Sequence, residues 1–128
     1  MTEFIDASPI PTESAEQQLL FQWARMQSGK YPELTLLYHI PNEGKRSHKT
    51  GARMKAEGLK TGVPDICLPV ARGGHHGLYI ELKRVKNSRV TVAQMAWIEA
   101  LTRQGYVAAV CRGADEAIEL ITRYLRGR

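Results

Sequence analysis

The sequence predicts an α/β fold in which a small mixed sheet lies between helices, and three observations carry that prediction. Helix-start signals recur at Ser14 and Thr91, each with a Gln three residues on, ahead of stretches with apolar residues at helical spacing. Short apolar, β-compatible runs fall between the helical stretches. Two of those runs, Asp65 to Val70 and Leu78 to Lys83, flank a Gly-Gly-His-His-Gly loop, as the arms of a hairpin do. With 128 residues, 43% hydrophobic and 24% charged, the chain suits one domain. A domain of that length buries roughly two thirds of its unfolded surface, enough to fold without disulfide or metal staples.

Residues 1–12, with their prolines, read as a flexible lead-in, and 13–128 as the domain. Ser14 and Gln17 form the capping box of a first helix from Ala15 to about Met26, which Gly29 to Pro32 ends. Leu34 to His39 is predicted as a strand before the Pro41-Asn42-Glu43-Gly44 turn. Lys45 to Glu57 is basic and helix-tolerant, loosened by Gly51 and closed by Gly58. Pro69 places the end of the next strand at an edge or bulge. Thr91 with Gln94 opens a helix running to about Gln104, and Tyr106 to Cys111 follows as a buried strand. Ala114, Ile118, Ile121 and Leu125 recur at helical spacing. Asp115 and Glu116 at the start of that helix, and Arg123 and Arg126 near its end, complement its dipole.

Several classes are excluded early. Cys67 and Cys111 stand alone in apolar stretches, which suits a reducing compartment, and a cytoplasmic setting is the expectation. The run from Val63 to Ala71 is broken by Pro and Asp and is far shorter than the ~20 residues of a membrane span. The N-terminus has neither the basic nor the apolar region of a secretory signal. The net charge of +5 is unevenly spread: Lys45 to Arg89 holds eleven basic residues and three acids, or +8, and the remainder is −3. Positive charge concentrated in this way suits a polyanion.

The sharpest constellation is Asp65 at the start of one hairpin strand with Glu81 and Lys83 at the end of the other. Residues two apart in a strand share a face, so Glu81 and Lys83 project together, and the returning strand brings Asp65 alongside. A Glu–Lys pair alone would be an ordinary exposed ion pair. Two neighbouring carboxylates repel unless a proton or cation lies between them, and Mg²⁺ takes one or two carboxylates, a carbonyl and waters. Glu16, followed at i+3, i+4 and i+7 by Leu19, Leu20 and Trp23, lies on or beside the inward stripe of the first helix. It is either a metal or water-bridged ligand or a first-turn acid favoured by the helix dipole. Gln94 has the same relation to Trp97, Ile98 and Leu101 and combines capping with a place at the site. His75 and His76 in a Gly-rich turn lack the spacing of a zinc site, and the lysine and the basic span argue against a glycosidase.

Pro64-Asp65 followed by Glu81-Leu82-Lys83 resembles the PD-(D/E)xK motif of restriction-endonuclease-like nucleases. With Glu16, His39-Ile-Pro-Asn42-Glu-Gly44, Gly58-Leu-Lys-Thr-Gly-Val-Pro-Asp65 and Ser88-Arg-Val-Thr-Val-Ala-Gln94-Met-Ala-Trp97, the chain from about Glu16 to Leu125 resembles the virus-type replication-repair nuclease (VRR-NUC) family. The resemblance implies a restriction-endonuclease-like α-β-β-β-α-β core. It further implies Mg²⁺ or Mn²⁺ held by Asp65, Glu81, the Leu82 carbonyl and, directly or through water, Glu16. Lys83 would orient or help deprotonate the attacking water, and Gln94 would steady Lys83 or that water. Family members standing alone are associated with homodimeric cleavage of four-way DNA junctions. Lys45, Arg46, Lys49, Arg53, Lys60, Lys86 and Arg89 are the expected contacts to the DNA backbone.

Overall fold

Two capped helices, one on each side of the hairpin in sequence, frame the molecule. The computed structural model describes residues 9–41 and 48–127. Helix α1 (Glu13–Gln27) is capped by Thr12, whose side chain accepts from the Ala15 amide at 3.0 Å. The cap therefore precedes the expected Ser14, whose hydroxyl instead accepts from the Gln18 side chain. The helix buries Glu16, Leu20 and Ala24, one stripe at i, i+4 and i+8.

The expected strand from Leu34 to His39 is shorter than its composition suggests. Pro32 opens a 3-10 turn (Pro32–Leu36) that buries Leu34 and is tied by the Thr35 hydroxyl to the Pro32 carbonyl at 2.9 Å, so strand β1 (Tyr38–His39) is two residues long. A fixed proline φ suits a tight helical turn, and this local geometry overrides the β propensity of the residues after it. Helix α2 (His48–Ala56) falls inside the predicted helical span. Strands β2 (Ile66–Leu68) and β3 (Leu78–Lys83), helix α3 (Val92–Arg103), strand β4 (Val107–Arg112) and helix α4 (Ala114–Leu125) match the remaining expected bounds to within a few residues, but β4, expected buried, is an edge strand in which only Cys111 is buried.

The sheet runs β1-β2-β3-β4, antiparallel through β1, β2 and β3 and parallel between β3 and β4. A parallel neighbour needs a crossover, and α3 supplies it. Leu20, Ile66, Leu68, Leu78, Ile80, Leu82 and Ile121 are essentially sealed from solvent between α1, α4 and one face of the sheet. Tyr124 anchors α4 to that core by donating its hydroxyl to the Val70 carbonyl at 2.5 Å, and Arg72 pairs with Glu33 in a partly exposed ion pair. Among the described residues no helix is long and apolar enough to cross a membrane.

The loop leading into β2 is pinned to α3. Trp97 donates its indole N–H to the Thr61 carbonyl at 3.1 Å. Gly62 has a φ of +92°, and a Cβ there would meet Ala93 backbone carbon and oxygen at 2.7 and 2.8 Å. Neither strained backbone nor a helix backbone can yield cheaply. Gly62→Ala is expected to destabilise the fold by about 2–4 kcal/mol, read as a lower urea midpoint at unchanged m-value.

Candidate active site

The strand register arranges the other face of the sheet in rows. Ile66 pairs with Ile80, which sets Asp65 opposite Glu81. One step further along β3, Lys83 stands beside Arg112 of β4. On the other side, Tyr38, Cys67, Tyr79 and Ala108 are mutual partners across all four strands. The face therefore reads, along β3, as an aromatic row, a carboxylate row and a basic row, spaced by the two-residue repeat of a strand, about 6.7 Å.

The carboxylate row is buried and held from several sides. Asp65 is 6% exposed, and its Oδ1 accepts from the Leu82 amide at 2.9 Å. In an extended strand the carbonyl of a residue leaves from the same edge as its amide, so the Leu82 carbonyl lies on the Asp65 side. Glu81 is 2% exposed; its Oε2 accepts from the Gln94 side chain at 3.3 Å and lies 3.8 Å from the Lys83 ammonium. The other oxygen, Oε1, is buried without a hydrogen-bond partner. Burial, then the neighbouring Asp65 charge, push the Glu81 carboxyl up to about 8, against the opposing pull of Lys83. Burial likewise raises Asp65, partly offset by the Leu82 amide. Two buried acids, one with an unsatisfied oxygen, form a donor set that suits a hard divalent cation. Among the described residues no three acidic, His or Cys side chains make a ready cage, so an ion here would complete its shell with the Leu82 carbonyl and water.

Gln94 sits where the sequence places it, with a different partner. Its Oε1 accepts from the Thr91 amide at 2.9 Å, completing the capping box, and its Nε2 reaches Glu81 rather than Lys83. One amide thus ties the start of α3 to the carboxylate row. Glu16 is buried as expected, but its Oε1 accepts from the Ala114 amide at 3.0 Å. That amide opens α4, whose own N-cap, Gly113, has no side chain to offer. The acid of α1 that reaches the site is Glu13, half-exposed, with Oε1 4.0 Å from the Lys83 ammonium. Glu13 is missing from the expected site; its spacing of three from Glu16 in the first turn was the available signal. His39 also joins the site's border, with Nδ1 2.9 Å from the Asp65 carbonyl.

The expected DNA contacts Arg53, Lys60, Lys86 and Arg89 are exposed. Arg53 and Lys60 belong to the connection from β1 to β2, and Lys86 and Arg89 follow β3, so all four leave the sheet at its carboxylate end. Lys45, Arg46 and the Lys49 side chain lie outside the described residues.

Comparison with known proteins agrees with this fold. The model of the VRR-NUC domain matches residues 11–115, and the chain belongs to that family. A solved structure of a VRR-NUC domain protein is 35% identical over 94% of this chain and 93% of the other, with a TM-score of 0.81. No curated protein matches. The chain is accordingly a nuclease domain, a kind that acts on DNA and generally uses divalent metals.

The buried acids make stability depend on pH with a definite sign. The unfolded Glu81 carboxyl ionises near 4.5 and the folded one near about 8, so between those values the unfolded state sheds a proton that the folded state keeps. In chelator, the melting temperature is expected to fall as pH rises from 5 to 8. Glu81→Gln should flatten that slope and melt higher than the parent at pH 8; equal slopes in calorimetry would remove Glu81 as the cause.

Proposed function

We propose that the chain is a Mg²⁺- or Mn²⁺-dependent structure-specific endonuclease that hydrolyses phosphodiester bonds in branched DNA, acting as a homodimer on four-way junctions. The observation that carries this reading is the convergence of buried Asp65, Glu81 and Lys83 on one sheet face, with exposed cations on the segments leaving the same end. Asp65, Glu81 and the Leu82 carbonyl would hold the cation. Bound there, such an ion lowers the pKa of water and offsets phosphate charge.

The chain's own residues supply the rest. Lys83, held between Glu81 and Glu13, orients the attacking water or a non-bridging phosphate oxygen and stabilises negative charge developing there. Gln94 fixes the rotamer of Glu81 from α3. Glu16 keeps α4 docked and so supports the end of β4 rather than the reacting groups. Arg53, Lys60, Lys86 and Arg89, with Lys45, Arg46 and Lys49, hold the flanking phosphates without reading sequence.

Paired cuts across a junction need two such clusters, hence two copies of the chain. The outer edge of β4 supports this. Val107 and Gly113 bond inward to Gly77 and Lys83, which leaves the backbone of Ala108 and Val110 facing outward on a strand of low charge. Cleavage of four-way, flap, splayed and linear DNA in Mg²⁺, comparing the parent with Lys83→Ala, tests the activity, and light scattering tests the assembly. Binding without cleavage by the parent on every substrate would leave a non-catalytic DNA-binding module. Cleavage by a monomer at micromolar concentration would leave a flap or nicking nuclease.

A further inference from the structure

The aromatic row has no part in the chemistry described so far. Tyr38 is 47% exposed on β1, beside the buried Cys67 and the partly buried Tyr79 of the same row. The strand register seats the Cys67 side chain between the two tyrosines, Tyr38 on one neighbouring strand and Tyr79 on the other. Tyr79 is braced in turn by Tyr106, edge to face at 5.3 Å, and Tyr106 by His76 at 5.6 Å. A half-exposed ring standing beside a braced, partly buried aromatic cluster is placed to take a flat partner.

We propose that Tyr38 stacks against an unpaired base of the strand being cut, next to the phosphate held at the carboxylate row. This rests on the nuclease reading above. The aromatic row lies one strand repeat, about 6.7 Å, from Asp65 and Glu81 on the same face, a step on the scale of one nucleotide. Exposed cations are more numerous at the carboxylate end, with Arg103 and Arg126 exposed toward the other. Arg53, Lys55, Lys60, Lys86 and Arg89 are exposed on segments leaving the sheet at the carboxylate end. The aromatic row continues instead to Pro69, Gly77 and His76. Phosphates of a duplex are drawn to the first end, whereas the second offers ring surface, which every unpaired base can use whatever its sequence. A stacked base next to the cut selects strands that are unpaired there, as at a branch point.

The test measures binding in chelator, where nothing is cut. Fluorescence anisotropy with a labelled oligothymidine and with a blunt duplex compares the parent with Tyr38→Ala, Tyr38→Phe and Tyr38→Trp. Tyr38→Ala is expected to weaken oligothymidine binding about tenfold and duplex binding less than about threefold, with Phe and Trp retaining the parent's preference. Unchanged oligothymidine binding by Tyr38→Ala overturns the proposal. So does a Phe variant as weak as Ala, which would assign the effect to the hydroxyl, or an equal loss on both probes. The nuclease reading fails separately. A parent that binds oligothymidine through Tyr38 but cuts nothing in Mg²⁺ keeps the stacking residue and loses the activity. A parent that cuts branched DNA while Tyr38→Ala binds normally does the reverse.

Discussion

Asp65→Asn is expected to lower cleavage of branched DNA by on the order of 10³-fold or more while leaving binding within a few-fold of the parent. The substitution is nearly isosteric, so the Leu82 amide can still donate to the retained carbonyl oxygen and the hairpin keeps its register. What disappears is one of the two negative charges that make the row a cation site. Removing it also relieves the repulsion that, together with burial, pushes Glu81 up to about 8. The variant should therefore melt higher than the parent in chelator and gain less on addition of Mg²⁺, as a weakened ligand site must. Quench-flow or gel assays give the rate and calorimetry with and without Mg²⁺ gives the linkage. Full cleavage by Asp65→Asn would remove the carboxylate row from the mechanism.

The second large effect concerns Glu16. Its carboxylate reaches across 98 residues of sequence to cap α4. Glu16→Ala strips the first amide of that helix of its acceptor and leaves a hole beside Val85 and Gly113. A charged hydrogen bond contributes roughly 1.5–3 kcal/mol, and complementing the helix dipole adds about 1. On a chain of this length the loss should lower the melting temperature by about 8–15 °C. Glu16→Gln keeps an acceptor oxygen and should cost about a third of that, with cleavage per folded molecule close to the parent. Glu13→Gln should do the opposite, leaving stability nearly unchanged and lowering cleavage about tenfold through looser positioning of Lys83. Normal stability with lost cleavage in Glu16→Gln would return Glu16 to the ligand set that the family resemblance implies.

These two acids mark how far the sequence could be read. Both occupy the first turn of α1, three residues apart, and the apolar spacing that follows Glu16 correctly announces a buried carboxylate. What a buried carboxylate bonds to depends on the elements packed against it. Here the capless Gly113 at the start of α4 claims it, while Glu13 in the same turn reaches Lys83. Gln94 shows the same division: its capping role is local and legible, and its contact with Glu81 exists because α3 crosses the face of β3.

The order of elements, the hairpin and the opposition of Asp65 to Glu81 were written in the sequence, since capping, periodicity and the two-residue strand repeat act over a few residues. Local sequence also misled, at the first helix, where Thr12 and not Ser14 is the cap, and where Pro32 turned a β-prone run into a 3-10 turn and left Tyr38 and His39 as the whole of β1. Only the tertiary structure decided that β4 runs parallel beside β3, that Glu16 serves a helix end, and that Tyr38, Cys67 and Tyr79 line up one row from the acids. Each of those is a pairing between distant segments, chosen by which surfaces exclude water best against one another, and no window of neighbouring residues carries that information.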